Sequence, residues 1–220
     1  GLTGDLTIGG TISVTDDLDS YDDEDEDGDA DGPYATGSDR YGVRLSGSGT
    51  RIGDILLEDT GSITVEGEDS FGISIESQLQ GALTLLGSIS VVGDNSTGLS
   101  ITAPIDGDVL ISGSSISATG EGVTGVSVAA PISGTLQIQS SITTNGYRYT
   151  YQPTSLADLD EDDAADVDLS DDSLYLEDLD EDDLLQAGSA LVISADVAGG
   201  VYLGAAPTYD DDDADETNEE

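Results

Sequence analysis

The pattern of apolar and polar positions repeats along the chain with a period of 26 or 27 residues. Three consecutive copies run from Gly61 to Gln139 and read GSITVEGEDSFGISIESQLQGALTLL, GSISVVGDNSTGLSITAPIDGDVLIS and GSSISATGEGVTGVSVAAPISGTLQIQ. Isoleucines occupy equivalent positions in successive copies, at Ile63, Ile89, Ile116 and Ile142. A period of this length, built from short alternating segments and Gly/Ser turns, is typical of a solenoid.

Each period contains three segments in which apolar and polar residues alternate, such as Ser62–Val65, Gly72–Ile75 and the segment that begins at Gly81. Alternation places every second side chain on one face of a strand, so we expect Ile63 and Val65 to face a common interior. The sequence therefore predicts an all-β fold, a right-handed parallel β-helix with three strands per coil. About five coils, at roughly 4.8 Å per stacked strand, make a rod of about 25 Å. A two-sheet sandwich is the alternative, but sandwiches do not repeat their sequence in this way.

The repeat is interrupted twice, each time between the first and second strands of a coil. We interpret 1–220 as a single β-solenoid segment with acidic insertions at 15–41 and 145–187 and an acidic tail at 209–220. These three segments hold 12, 15 and 8 of the 48 carboxylates, so the coils themselves are only mildly acidic. Because both insertions enter at the same slot, we expect them to emerge from one edge of the rod.

The charge balance narrows the classes of partner. The chain has 48 Asp and Glu against four Arg and no Lys, for a formal net charge of -44. A field of this sign repels nucleic acid and anionic membranes and attracts cations. Cys and His are absent, which excludes disulfides and the usual ligands of transition metals. No apolar run is long enough for a membrane span. The chain begins at Gly1 without a recognisable signal peptide, so we expect an internal piece of a longer protein or a processed product.

The first insertion contains a candidate calcium loop, DEDEDG, followed by two further aspartates. Ca²⁺ takes six to eight oxygen ligands, which alternate carboxylates around a turn can supply, and Gly28 permits the chain reversal. The pattern resembles the calcium loops of EF-hand, dockerin and thrombospondin type 3 proteins, although Tyr34 stands where an EF-hand has its bidentate glutamate. The candidate ligands are Asp23, Asp25, Asp27, Asp29 and Asp31.

The second insertion repeats the pattern Leu-x-Asp-Leu-Asp-Glu-Asp-Asp at 156–163 and 176–183. Its candidate ligands are Asp158, Asp160, Asp162, Asp166, Asp178, Asp180 and Asp182. The alternative interpretation of both insertions is a solvated acidic run without a dedicated site. Carboxylates this dense require counter-ions to pack, so we predict calcium as the bound cofactor.

Two further features bear on function. Outward residues of the first strands form hydroxyl ladders that we expect to be solvated, although such a face can also bind ice or carry sugars: Thr11/Ser13, Ser62/Thr64, Ser88/Ser90, Ser115/Ser117 and Ser141/Thr143.

The cations available for catalysis are Arg40, Arg44, Arg51 and Arg148. No pair of carboxylates suited to glycoside hydrolysis stands out on the coils, so we expect no enzyme. A polysaccharide-acting β-helix enzyme and a glycan- or ice-binding solenoid remain the alternatives.

The repeats GSITVEGEDSFGISI and GSISVVGDNSTGLSI, together with the Asp-rich insertions, resemble the passenger regions of Gram-negative autotransporters and related surface adhesins. This resemblance implies secretion to the cell exterior and a role in adhesion, aggregation or surface coating, and it carries over no catalytic residue. Open strand edges at the ends of a solenoid favour the addition of further strands. We therefore expect an extracellular structural module that stacks end to end, on copies of itself or on flanking coils, with surface glycans as a further candidate partner.

Overall fold

The structure is a computed structural model that describes residues 3–16, 35–113, 115–146 and 186–204. Within these ranges every regular element is a β-strand. The described residues therefore contain no helix that could cross a membrane. In chain order the strands are β1 (Leu6–Ile8), β2 (Thr11–Val14), β3 (Tyr41–Leu45), β4 (Arg51–Ile52), β5 (Ile55–Leu57), β6 (Ser62–Glu66), β7 (Phe71–Ile75), β8 (Leu79–Gln80), β9 (Leu83–Leu85), β10 (Ser88–Val92), β11 (Thr97–Ile101), β12 (Ile105–Asp106), β13 (Val109–Ile111), β14 (Ile116–Thr119), β15 (Thr124–Val128), β16 (Leu136–Ile138), β17 (Ile142–Asn145), β18 (Leu191–Ile193) and β19 (Val201–Leu203).

All strand pairs are parallel, and they form four sheets along the axis of a β-solenoid of about four turns. The first-strand sheet has the order β17-β14-β10-β6-β2, and the second-strand sheet has the order β18-β15-β11-β7-β3. The third-strand sheet has the order β1-β5-β9-β13-β16-β19. Equivalent residues of successive repeats are direct partners: Ile12, Ile63, Ile89, Ile116 and Ile142 form one continuous ladder. The predicted all-β parallel solenoid is confirmed.

The fourth, short-strand sheet consists of the two-residue strands β12, β8 and β4. Isolated parallel bridges at Ile132 and Val197 extend the same ladder through the later turns. The sequence pattern indicated three strands per coil because two residues are too few to show alternation. The handedness of the coil stays a prediction from the general preference for right-handed parallel crossovers.

The core is a set of aliphatic columns inside the coils. Ile63 and Val65, which alternation places on one face, are at most 1 % exposed. The same holds for Ile73, Ile75 and Leu83, and buried residues from every turn join one hydrophobic cluster. Because each inward side chain packs on its equivalent one turn away, the repeat period and the packing period coincide.

Glycines stack at the corner before each third strand, at Gly53, Gly81, Gly107 and Gly134. A Cβ added at Gly81 would collide with the carbonyl of Gly53, and one added at Gly107 would collide with the carbonyl of Gly81. Any side chain here would push successive turns apart. The close approach of backbones therefore explains why this corner carries glycine in every turn.

Where the residue after the corner glycine is an aspartate, as at Asp5, Asp54 and Asp108, its side chain connects neighbouring turns. The carboxylate of Asp5 accepts a hydrogen bond from the amide of Asp54 (3.0 Å), and Asp54 accepts one from the amide of Ala82 (2.8 Å). Asp108 accepts bonds from both the amide (2.6 Å) and the hydroxyl (2.8 Å) of Thr135. We call these side-chain acceptors corner caps. Ala82 has no side-chain acceptor, so the corner cap is missing in that turn.

Replacing Ile89 with alanine should destabilise the fold by about 2–5 kcal/mol, because Ile89 lies in the middle of a buried column and its loss leaves a cavity. Urea unfolding followed by circular dichroism measures this change. Ser90→Ala, on the outer side of the same strand, is the matched control and should stay within about 0.5 kcal/mol of wild type. An Ile89→Ala protein as stable as the control would contradict the column arrangement.

Replacing Asp108 with alanine should lower the free energy of unfolding by about 1 kcal/mol, since it removes the acceptor of two hydrogen bonds at a partly exposed corner. Ala82→Asp restores the missing cap and should raise stability by about 0.5–1 kcal/mol. Thermal unfolding of both variants checks the pair. If both variants lose stability, the carboxylates do not act as caps.

Candidate functional site at the insertion corner

All the candidate calcium ligands lie outside the described residues. The structure does describe where the two insertions join the solenoid. One leaves after β2 and returns at β3, and the other leaves after β17 and returns at β18. Both junctions therefore lie between the first-strand and second-strand sheets, at what we call the insertion corner. They occupy the two ends of each sheet, four strand spacings apart, which is about 19 Å along the axis.

Asp16 holds the two ends of the first insertion together. Its carboxylate accepts hydrogen bonds from the amides of Thr36 (2.8 Å) and Gly37 (3.0 Å) and forms an ion pair with Arg40. Its own amide donates to the carboxylate of Glu66 on the next turn (2.8 Å). The segment that departs after β2 and the segment that returns before β3 are thereby fastened to each other and to the solenoid.

We call Asp16 together with Thr36, Gly37 and Arg40 the Asp16 clasp. It is a strong local electrostatic site. The Asp16 side chain is only 7 % exposed, so its charge must be compensated within the protein. The amide of Gly37, assisted by the amide of Thr36 and by Arg40, holds the pKa of Asp16 below its ordinary value, even though burial acts to raise it. The ionised carboxylate is therefore the form that the folded protein stabilises.

The same corner is short in the intervening turns, and its backbone conformation repeats. Asp69 and Asn95 have positive φ angles of 49° and 56°, Asp39 has 56°, and Gly122 has 63° in the following turn. Asp, Asn and Gly tolerate this left-handed conformation better than other residues, because their side chains are short and polar or absent. These residue types mark a tight turn that lets the chain pass from one sheet to the next.

Buried serines follow two of these turn residues and join the turns to one another. The amide of Ser70 donates to the hydroxyl of Ser96 (3.0 Å), which in turn donates to the carbonyl of Gly67 (2.6 Å). The hydroxyl of Ser70 accepts a bond from the amide of Arg40 (3.0 Å) and donates to the carbonyl of Glu68 (2.8 Å). The base of the first insertion therefore connects through polar contacts to the third turn.

The short turns of the insertion corner expose carboxylates between the two junctions. Asp94 uses one carboxylate oxygen to cap the amide of Glu121 (2.8 Å), as Asp108 does at another corner. Among the residues that the structure describes, no three carboxylates are grouped so as to hold a metal ion. Asp94 therefore acts as a hydrogen-bond acceptor for the backbone. The calcium prediction rests on the sequence of the insertions.

The second insertion is fastened by hydrogen bonds to backbone carbonyls at its two ends. The amide of Gly120 donates to the carbonyl of Asn145 (2.9 Å), and the amide of Gly122 donates to the carbonyl of Gln186 (3.0 Å). The hydroxyl of Thr144 donates to the carbonyl of Gly188 (3.2 Å). Both ends of this insertion are thus attached to the preceding turn and to each other.

Arg44 has structural partners on the outer face of the second-strand sheet. It donates two hydrogen bonds to the carboxylate of Glu76 (both 2.9 Å) and lies 4.2 Å from the ring centroid of Tyr41. The hydrogen bonds from Arg44 lower the pKa of Glu76, and Glu76 raises the pKa of Arg44. Tyr41 stacks on Phe71 with ring centroids 5.1 Å apart. This cluster explains Arg44 as a packing residue of the first turn.

Arg51 occupies a core position. It is the direct partner of Leu79 in the short-strand sheet and is only 8 % exposed. One guanidinium nitrogen donates to the carbonyl of Gly4 (2.8 Å), whereas Nε is buried without a partner. Within the described ranges Arg51 forms no ion pair. The sequence showed Arg51 as one of four cations but gave no signal that it replaces an aliphatic residue in a column.

A shallow open groove of about 300 Å³ runs along the outside of the short-strand sheet. Stacked Pro104 and Pro131 give it an apolar wall, and Asp106 and Asp196 lie at its edges. The hydroxyl of Ser133 donates to the carboxylate of Asp106 (2.9 Å), which engages one of these carboxylates within the protein. The groove is therefore an open surface of the solenoid that is available to a ligand.

Replacing Asp16 with asparagine should lower the free energy of unfolding by about 1–3 kcal/mol near pH 7, since a buried charge-assisted acceptor is lost beside Arg40. The amide protons of Thr36 and Gly37 should exchange faster with solvent. Because the pKa of Asp16 is depressed in the folded state, its contribution is complete above the unfolded value near 3.8 and is lost as the pH falls through the lower folded value. The difference between the two proteins should therefore disappear in strong acid.

Thermal unfolding and hydrogen exchange from pH 7 to pH 2 measure these effects. Asp59→Asn changes an exposed aspartate for which the structure gives no side-chain hydrogen bond, and it is the matched control. Equal stability of the Asp16→Asn and Asp59→Asn proteins at pH 7 would show that the clasp contributes nothing.

Comparison with known proteins finds no family model, no curated protein and no solved structure that matches this chain. The resemblance to autotransporter passenger regions therefore stays a prediction from the repeats and the acidic insertions.

Proposed function

We propose that this chain is an extracellular structural module of a bacterial surface fibre or adhesin, which stacks end to end and binds calcium through its Asp-rich insertions. The observation that carries the proposal is that the strands at both ends of the solenoid have an unpaired edge. Strands β1, β2 and β3 each pair on one side only within the described residues, and so do β17, β18 and β19. Unpaired parallel edges are templates for further strands unless something covers them.

The last turn adds an apolar surface to these edges. Leu203 is 69 % exposed and Val201 is 39 % exposed, although both belong to columns that are buried one turn earlier at Ile138 and Leu136. Solenoids normally need polar capping repeats or neighbouring repeats at their ends. Further coils, either of a longer chain or of a second copy, are the partners that this end fits.

The calcium part of the proposal rests on the sequence of the insertions and on where they are attached. Two segments with 12 and 15 carboxylates join the solenoid at one corner. The ends of the first are held together by Asp16, which reduces the conformational freedom that a metal would have to remove. Loops of this kind in extracellular modules bind calcium with dissociation constants of about 10⁻⁴–10⁻³ M.

The remaining parts of the proposal concern coil geometry and location. We take the coil as right-handed with three main strands, the two-residue strands acting as bends, and the six-stranded sheet supports a count of about five coils. Location outside a Gram-negative cell follows from the resemblance to autotransporter passengers and surface adhesins. The structural partners found for Arg44 and Arg51 favour this role over that of a polysaccharide-acting enzyme.

Calorimetric titration of the chain with calcium should give saturable binding with a dissociation constant of about 10⁻⁴–10⁻³ M. Trypsin provides a second measurement, because it cleaves after arginine and lysine, and Arg148 is the one arginine of the second insertion. Arg40 and Arg44 are held in ion pairs and Arg51 is buried, so cleavage of the folded protein should occur after Arg148. Calcium at about ten times its dissociation constant should slow this cleavage about tenfold.

The control is a variant with Asp23, Asp25 and Asp27 all replaced by asparagine. It should lose the calcium bound by the first insertion and keep the protection of the bond after Arg148. If wild type shows neither binding heat nor slower cleavage in calcium, the insertions are solvated acidic segments and this part of the proposal is wrong.

A further inference from the structure

We propose that the groove along the short-strand sheet is a docking site for an arginine side chain presented by a basic partner protein. The groove has a volume of about 300 Å³, which is at the lower end of the range for ligand sites and suits one or two side chains. The inference depends neither on calcium binding nor on stacking of the ends, so it goes beyond the function proposed above.

One wall of the groove is a ladder of the residues that precede the short strands. The short strands and bridges of successive turns pair in register, so these residues stack at about 4.8 Å per turn. In order along the axis the exposed residues of this wall are Gln78, Pro104, Pro131 and Asp196. The wall therefore presents a side-chain amide, two apolar rings and a carboxylate in line.

The middle of this wall is apolar and has no free hydrogen-bond donor. Proline has no N–H group. The carbonyl of Pro104 accepts a hydrogen bond from the amide of Leu79 (3.0 Å), and that of Pro131 accepts one from the amide of Ile105 (3.0 Å). A ligand gains apolar contact here, so we expect the part that lies over the two prolines to be aliphatic.

Asp196 supplies a negative charge at one end of the wall. Its carboxylate is exposed and has no hydrogen bond or ion pair within the described ranges. The other carboxylate of the groove, Asp106, accepts a hydrogen bond from the hydroxyl of Ser133 (2.9 Å). The net charge of -44 attracts cations to the whole molecule. The part of the ligand beside Asp196 is therefore cationic.

An arginine side chain has an aliphatic stem and a cationic head in the order that this wall requires. The stem can lie over Pro104 and Pro131 while the guanidinium donates two hydrogen bonds to Asp196. Gln78 lies at the opposite end, where the backbone of the partner would pass. Its Oε1 accepts a hydrogen bond from Thr50 (3.3 Å), which leaves its N–H groups for a backbone carbonyl.

Arginine suits this groove better than lysine. Its guanidinium is planar and more weakly hydrated than an ammonium group, so it can lie against an apolar wall at a smaller cost in hydration. The described arginines of this chain are already engaged, because Arg40 and Arg44 form ion pairs and Arg51 is buried. The arginine therefore comes from a partner, and the negative field of this chain favours a basic one.

Titration of the full chain with N-acetyl-arginine methylamide, followed by the amide resonances in nuclear magnetic resonance spectra, tests the proposal. Calcium and about 0.15 M salt are included, because they compete for and screen the carboxylates of the insertions. The amides of Ser133 and Ala198, which line the groove, should shift with a common dissociation constant of roughly 1 mM. The lysine and norleucine analogues should each bind more weakly.

Two variants of the wall separate charge from apolar contact. Asp196→Asn should weaken binding of the arginine probe about 2- to 5-fold, as expected for an exposed ion pair, and should leave the norleucine analogue unaffected. Pro131→Ser should weaken binding of both probes about 5-fold, because it removes apolar area. Asp59→Asn is the matched control and should leave both affinities unchanged. Circular dichroism shows whether each variant is folded.

Three results would overturn the proposal. Shifts confined to the insertions would mean that the probe only follows the general negative field. Equal affinity for the arginine and norleucine probes, with no effect of Asp196→Asn, would reduce the groove to an apolar patch. If Arg148→Gln alone shifts the amides of Ser133 and Ala198, the groove is occupied by this chain's own arginine and not by a partner.

Discussion

The structure depends on one constraint, which is that equivalent residues of successive turns lie directly above one another at the spacing of paired strands. Parallel pairing in register favours a similar side chain at each inward position of successive turns. Ile12, Ile63, Ile89, Ile116 and Ile142 satisfy this requirement in a single ladder. The side chains at one aliphatic position of the repeat thereby stack into a column along the axis. Such columns form the hydrophobic core of the solenoid.

The corners show how the same constraint acts on the backbone. Stacked turns bring carbonyl groups so close at Gly53 and Gly81 that a side chain cannot fit. Elsewhere the corner amides cannot all be satisfied by the next turn, and carboxylates such as that of Asp108 supply the missing acceptor. Glycine and aspartate at these corners are therefore structural, and their frequency in the coils is not by itself evidence of a ligand.

The sequence was sufficient to predict the repeated features that extend over three or more residues. The period, the parallel stacking and the inward face at Ile63 and Val65 all follow from alternation and spacing, and the structure confirms them. It was insufficient where one turn departs from its neighbours. The Asp16 clasp joins residues about twenty positions apart in the region where the repeat is interrupted, so no periodic signal marks it.

Arg51 is a second residue whose position the sequence pattern did not predict. Its strand is too short to display alternation, and a charged residue in that segment suggests an outward position, yet it lies in the column of Leu79. The candidate calcium ligands were chosen from local spacing alone, without a repeat to fix their geometry. Local composition can indicate a kind of ligand, whereas only a repeated position specifies where a side chain lies.

In-register stacking also determines where this very acidic chain can carry its charge. Two unit charges about 4.8 Å apart repel by about 0.9 kcal/mol even in bulk water, and a charged outward ladder would add such a term at every turn. The outward positions of the first-strand sheet carry hydroxyls instead, as at Ser62 and Ser88. Most carboxylates are placed in the tail and in two insertions, whose junctions are about 19 Å apart and thus beyond the screening length of about 8 Å at physiological salt. A regular scaffold and a large negative charge are compatible in one chain because the charge lies in segments that do not have to follow the repeat.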